Sequence, residues 1–247
     1  MRFLLLLILT LSLFGCTKNE KRKKQGAYWV EIVGTTNDGI EKKFTSEGRL
    51  VSETPYKNSL PHGIKKDYHQ NGQVFTETPC DSGIVNGVVK EYFQSGKLYK
   101  ETPTKKGKVD GVKKMYYENG SLKSEAIYKD GKPLQGLKEY DRNGKLLPTP
   151  KIQIIGRDKT VLDGSYLIEL SLSSDIRKAN YYVIYFDNNT EQRIKLTSEK
   201  GKGYYTEFIP RGGVVMKQLV FEAVFYTKFG NTCVVRANYA MAVSNKN

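Results

Sequence analysis

Histidine is nearly absent from this chain: its 247 residues carry two, His62 and His69. Acid–base and metal chemistry both lean on that side chain, so most hydrolytic and metal-centred mechanisms lose their usual residue. His62 stands in a Pro-His-Gly segment. His69 stands in a repeated column otherwise filled by Thr45, Phe93, Tyr117 and Asp141. No His/Cys/carboxylate group has metal-ligand spacing, and no G-x-S-x-G elbow, Walker-type loop or dinucleotide fingerprint occurs. No catalytic residue, metal or cofactor is therefore expected, and the chain reads as non-enzymatic. Carboxylates are plentiful enough for a glycosidase-like pair, which keeps an envelope hydrolase or a glycan-binding protein as lesser alternatives.

Long apolar runs are equally scarce. One occurs, Phe3–Leu13 behind Arg2, and it is too short to span a bilayer permanently. Residues 1–15 read as a removable signal peptide. Leu13-Phe14-Gly15-Cys16 resembles a bacterial lipobox, which makes Cys16 the expected lipidation site and the lipid chains the membrane contact. Thr17 is not the aspartate of inner-membrane retention, so the expected address is the outer membrane of a two-membrane bacterium, facing the periplasm. Residues 16–26, which include KNEKRKK at 18–24, read as a basic tether.

Acidic residues are outnumbered, 26 Asp and Glu against 40 Lys and Arg, a net charge of +14. The excess is spread thinly: +4 over residues 17–25, +4 over 26–150 and +5 over 151–247. Without a basic helix or a zinc-finger spacing, no nucleic-acid partner is expected. Cysteine is rare too. Beyond Cys16 there are only Cys80, in a linker, and Cys233, on an alternating face with Val235, Ala237, Tyr239 and Met241. A buried Cys233 and a free Cys80 are the favoured reading, with a bridge between them as the alternative in an oxidising compartment.

What the chain has in abundance is glycine at a fixed interval. Gly48, Gly72, Gly96, Gly120 and Gly144 recur every 24 residues in FTSEG, YHQNG, YFQSG, YYENG and YDRNG. Four residues before each stands Phe44, Tyr68, Tyr92, Tyr116 or Tyr140. Two earlier stands Lys42, Lys66, Lys90, Lys114 or Lys138. Leu50, Val74, Leu98, Leu122 and Leu146 follow each glycine, and Glu53, Glu77, Glu101 and Glu125 follow four of them. Such self-similarity marks a repeat architecture.

Asn-Gly between half-apolar runs predicts a hairpin with a two-residue type I′ turn. Symmetry about the bond between residues 47 and 48 puts Lys42 opposite Glu53, and likewise Lys66–Glu77, Lys90–Glu101 and Lys114–Glu125. It also sets Phe44 against Val51, with Phe75, Tyr99, Lys123 and Leu147 as the later equivalents, and Leu50 against Thr45. The aromatic and lysine columns then share one face, and the Leu50 column takes the other. The ETP triplets ending at Pro55, Pro79 and Pro103 are expected to stop each second strand, and irregular linkers to restart at Gly63, Gly87, Gly111 and Gly136. Tyr68, Tyr92, Tyr116 and Tyr140 beside Lys66, Lys90, Lys114 and Lys138 form a candidate partner-binding row; the competing reading makes the tyrosines the packing spine.

The pattern G-x-x-K-x-Y-x-x-N-G-x-L-x-x-E, as in Gly87 to Glu101 and Gly111 to Glu125, resembles the bacterial variant of the MORN (membrane occupation and recognition nexus) repeat over residues 35–148. The resemblance implies an elongated meander of hairpins with no shared active site. Because such variants also occur in antitoxin-like proteins, it leaves an immunity role as the alternative to a scaffold.

After Pro148 and Pro150 the period ends. Residues 151–247 show seven alternating runs: Ile152–Ile155, Tyr166–Leu172, Tyr181–Phe186, Arg193–Leu196, Tyr204–Phe208, Leu219–Tyr226 and Cys233–Val243. They predict a β-sandwich of immunoglobulin-like architecture, with a small barrel as the alternative and no helix. The expected whole is an all-β chain: repeats over 27–148, then a sandwich over 151–247. Its expected role is that of an outer-membrane lipoprotein binding a protein partner in the envelope.

Overall fold

The computed structural model describes residues 22–246. The signal peptide, the lipobox and Cys16 lie outside the described residues.

The first half is one antiparallel sheet. It opens with β1 (Lys23–Gln25), β2 (Tyr28–Gly34) and β3 (Gly39–Phe44), so the end of the basic stretch is a strand and not a tether. Then come β4 (Leu50–Lys57), β5 (Leu60–Pro61), β6 (Gly63–Tyr68), β7 (Val74–Asp81), β8 (Ile84–Val85), β9 (Gly87–Tyr92) and β10 (Leu98–Lys105). It closes with β11 (Lys108–Val109), β12 (Gly111–Tyr116), β13 (Leu122–Lys129), β14 (Lys132–Pro133) and β15 (Lys138–Glu139). Long hairpins β3–β4, β6–β7, β9–β10 and β12–β13 stand side by side. The short strands β5, β8, β11 and β14 fold back on β4, β7, β10 and β13.

Two turn types alternate along the array, and they sit the opposite way round from the sequence expectation. At the Xaa-Gly tips, the Thr45 N–H donates to the Arg49 carbonyl (2.9 Å) and the Gly48 N–H to the Thr45 carbonyl (3.0 Å). That is a three-residue loop. Its glycine takes positive φ (85°) while the residue before it does not. Glu47 and Ser95 can therefore replace asparagine there. The type I′ turns lie instead in the linkers, at Asn58-Ser59, Ser82-Gly83, Lys106-Gly107 and Asp130-Gly131, where both central residues have positive φ.

The predicted register of Lys42 and Glu53 holds, for a different reason. The three-residue loop pairs Phe44 with Leu50, one residue out of step. An inserted residue, Val51, then restores the count, and Lys42 meets Glu53. The same bulge recurs in the next three hairpins. Leu50 therefore stands opposite Phe44, not Thr45, and its column shares the aromatic face. Val51's equivalents instead meet the Thr45 column: Phe75 lies 4.8 Å from the His69 ring and Tyr99 5.0 Å from that of Phe93.

The prolines do not end their strands. Pro55, Pro79 and Pro103 remain inside β4, β7 and β10. Their carbonyls accept from the N–H groups of His62, Asn86 and Asp110 (2.9–3.0 Å), where the next hairpin peels away. Each ring then lies over the glycine that restarts the phrase. A Cβ on Gly87 would stand 2.9 Å from Pro79 Cγ, with φ at +125°.

The second half contains β16 (Ile152–Lys159), a single turn α1 (Thr160–Asp163), β17 (Ser165–Leu172), β18 (Ala179–Asp187), β19 (Thr190–Lys195), β20 (Thr197–Glu199), β21 (Lys202–Phe208), β22 (Val214–Tyr226) and β23 (Thr232–Ser244). Two four-stranded sheets, β16-β17-β21-β20 and β19-β18-β22-β23, make a sandwich and not a closed barrel. The run read as one strand over Arg193–Leu196 is divided. Leu196 drops into the core, its N–H donating to the Tyr181 carbonyl (2.9 Å), and the chain crosses to the other sheet as β20. Ile168, Leu170, Tyr181, Phe221 and Cys233 fill the interior. Cys233 and Cys80 are both free thiols.

The array's last unit is built into this core. Ala126 and Leu137 join the sandwich residues in one buried cluster. Glu139 accepts from Thr227 Oγ1 (2.6 Å) and Asn231 Nδ2 (2.8 Å), and Phe229 meets Tyr117 edge to face (6.5 Å).

Gly87→Ala should destabilise the chain by about 1–3 kcal/mol, because strain at positive φ adds to the proline clash. Gly120→Ala meets nothing within 4 Å and bears only the φ cost. Urea unfolding that ranks Gly120→Ala as the more damaging would contradict this packing.

Candidate functional site

Each long strand of the array places one charged residue in a single row. Neighbours in register are Glu31↔Lys42, Lys42↔Glu53, Glu53↔Lys66, Lys66↔Glu77 and Glu77↔Lys90. The row continues Lys90↔Glu101, Glu101↔Lys114, Lys114↔Glu125 and Glu125↔Lys138. Ten strands thus carry ten alternating charges with no break. Directly opposed residues share a face, so all ten point to the same side. Lys42 and Glu53 lie 3.0 Å apart, Lys66 and Glu77 3.9 Å, and Lys114 and Glu125 3.9 Å. Lys90 faces Glu101 in register. Arg22 adds a cation at the near end, 3.3 Å from Glu31.

The tyrosines lock this row between units. Tyr68 donates to Glu53 (2.5 Å), Tyr92 to Glu77 (2.8 Å) and Tyr116 to Glu101 (2.8 Å). Each bond leaves one hairpin for the carboxylate of the hairpin before it. Tyr140 differs: its carbonyl accepts from Tyr117 Oη (2.8 Å) and it bridges to Leu146. Glu53 is held below the usual carboxylate range by the Tyr68 hydroxyl, against the opposing effect of burial, with Lys42 assisting. Burial, and then Glu77 and Glu101 respectively, push the phenols of Tyr92 and Tyr116 up to about 12. Tyr68 is raised further by burial and Glu53. Tyr68, Tyr92 and Tyr116 therefore serve as inter-unit ties and Tyr140 does not, while Lys66, Lys90, Lys114 and Lys138 occupy alternate rungs of the row.

An exposed apolar row runs alongside, and sequence reasoning missed it. Two residues along each strand, and so on the same face, Ile40 pairs with Pro55, Ile64 with Pro79, Val88 with Pro103 and Val112 with Ile127. Val33 extends it onto β2. Ile64 is 51 % exposed and Val88 43 %. The signal was present in the 24-residue period, as Ile, Ile, Val, Val in one column and Pro, Pro, Pro, Ile in another.

The opposite face is different. It carries small polar residues, of which Ser52, Thr54 and Ser124 are buried. Its ion pairs are local, as in Lys100–Glu91 (2.6 Å) and Lys65–Asp67 (3.2 Å). This is also the face on which the sandwich sits, through Ala126, Leu137 and Glu139. The turn tips are stitched along the array as well: His69 Nε2 donates to the Tyr92 carbonyl (2.9 Å) and Asn71 Nδ2 to the Gln94 carbonyl (2.7 Å).

Among the described residues, no group of three or more His, Cys, Asp or Glu side chains could hold a metal ion, and no helix is long and apolar enough to cross a membrane.

This geometry defines a hairpin-repeat module with one open face. Four stretches of the chain, residues 37–58, 61–79, 85–106 and 109–130, match the MORN repeat variant. No curated protein matches the chain. Among solved structures, a tetra-tandem repeat from the extending region of a large adhesion protein is 15% identical, with 86% of this chain and 73% of that one covered and a TM-score of 0.21.

Tyr92→Phe should cost about 1 kcal/mol, the net worth of one such bond. The phenol is raised on folding, so its contribution is complete below the unfolded value near 10 and fades as pH climbs through about 12. Wild type and variant should converge over that interval in urea melts. A difference that persists unchanged at pH 12 would argue against the tie.

Proposed function

We propose that this chain is a non-enzymatic scaffold whose repeat array binds a protein partner in the cell envelope. The observation that carries the reading is the open ladder face. It joins an exposed aliphatic–proline row to a row of alternating charges along the whole array, while the sandwich covers only the other face. Exposed apolar surface of that extent, rimmed by polar residues, marks interaction sites. The matched family supports it, being in general a binding and repeat module and not a catalytic one.

Placement in the envelope rests on the sequence: a signal peptide over 1–15, lipidation at Cys16 and sorting to the outer membrane with the array facing the periplasm. Two or more acyl chains on Cys16 would make that attachment stable.

Labelled palmitate should enter the wild-type chain and not Cys16→Ala. Crosslinking in cells, followed by mass spectrometry, should place partner links on ladder-face lysines such as Lys66 and Lys90 in preference to sandwich lysines such as Lys151 and Lys178. Equal labelling of both chains would remove the anchor, and links confined to the sandwich would remove the binding face.

A further inference from the structure

The ladder has a symmetry that selects its own partner. Ten charges alternate from Glu31 at one end to Lys138 at the other. An alternating row turned about a point midway between two members opposes unlike charges; the ten from Glu31 to Lys138 overlap in this way, and Arg22 lies beyond the overlap. Consider a second copy laid face to face, related by a two-fold axis parallel to the strands between β7 and β9. That rotation reverses the order of strands and leaves position along each strand unchanged. Glu77 of one copy then faces Lys90 of the other, Lys66 faces Glu101, Glu53 faces Lys114, Lys42 faces Glu125 and Glu31 faces Lys138. Every opposed pair has opposite sign.

The same operation lays the apolar row on itself. Pro79 meets Val88, Ile64 meets Pro103, Pro55 meets Val112 and Ile40 meets Ile127. Among the described residues the sandwich docks on the other side, and only Arg22 lies over this one, at the near end beside Glu31 and Phe44. The geometry points to a homodimer formed through the ladder face, with a second copy of this chain as the occupant; this deepens the scaffold reading and rests on it. Ten strands at about 4.8 Å, with the apolar, charged and aromatic columns spanning roughly 14 Å, give on the order of 600–800 Å² per copy. A stable interface buries about 800 Å² per partner. Packed sheets cross at roughly 30°, so opposition is tightest near the axis, at Glu77–Lys90 and Lys66–Glu101. An isologous contact of this kind closes at two copies and leaves no open end for a fibre.

Charge reversal separates this contact from effects on folding. In Lys66→Glu, residue 66 meets the partner's Glu101 at two symmetry-related places. Combining it with Glu101→Lys restores both contacts between copies, yet leaves like charges side by side within each copy. The full chain in mild detergent should sediment as a dimer. Lys66→Glu or Glu101→Lys alone should weaken it by roughly tenfold or more. The double variant should recover most of the loss.

A wild-type chain that stays monomeric, or single variants that dimerise as well as wild type, would overturn the proposal. So would a double variant no better than the singles. If the chain is monomeric but crosslinks in cells run from Lys66 and Lys90 to another protein, the dimer falls and the scaffold reading stands. If those lysines link neither to a copy nor to another protein, both fall.

Discussion

The hydrogen bond from Tyr68, Tyr92 or Tyr116 to the glutamate of the preceding hairpin is the contact on which the array depends. Taken alone, a two-stranded hairpin is marginal in water. Here the inner hairpins each give a phenol to the unit before and receive one from the unit after: β9–β10 gives Tyr92 to Glu77 and takes Tyr116 at Glu101. The carboxylate so engaged also faces a lysine on either side in register. Its charge is therefore matched from three directions without a buried core beneath it. Side-chain networks of this type substitute for apolar volume that a single-layer sheet cannot provide.

Two consequences follow from building the array as one layer. The face with Ser52, Thr54 and Ser124 is closed by its own side chains and, at the last unit, by the sandwich. The ladder face keeps its aliphatic and proline side chains in contact with water. Stability and surface are thus divided between the two sides of the same strands. The sandwich has a conventional interior, with Ile168, Leu170 and Phe221 fully buried, and it anchors the end of the array through Glu139, Thr227 and Asn231.

Much of this was legible in the primary structure, because a repeat reports the same constraint several times. The all-β class, the hairpin period, the opposition of Lys42 with Glu53 and the burial of Cys233 all follow from columns and alternation. The turn chemistry was harder. Asn-Gly favours both a two-residue type I′ turn and a three-residue loop with glycine at its last position, and the bulge at Val51 conceals which is used. Asp130-Gly131 and Ser82-Gly83 were the better type I′ signals, hidden because prolines nearby suggested that the strands had ended. The placement of Leu50 with the aromatics, and the open row of Ile40, Ile64, Val88 and Val112, depend on that register and could not be assigned before it. The strand at Lys23–Gln25 was masked by its basic composition, which suits an edge as well as it suits a tether.

An array tied from neighbour to neighbour and built into a globular domain at one end should lose structure from the other end. Amide hydrogen exchange on the intact chain tests this directly. The account predicts slowest exchange in β12 and β13, beside the sandwich, with protection falling step by step through β9–β10 and β6–β7 to β2–β3. Hairpins that exchange independently of their position, or a β3–β4 unit as protected as β12–β13, would contradict it.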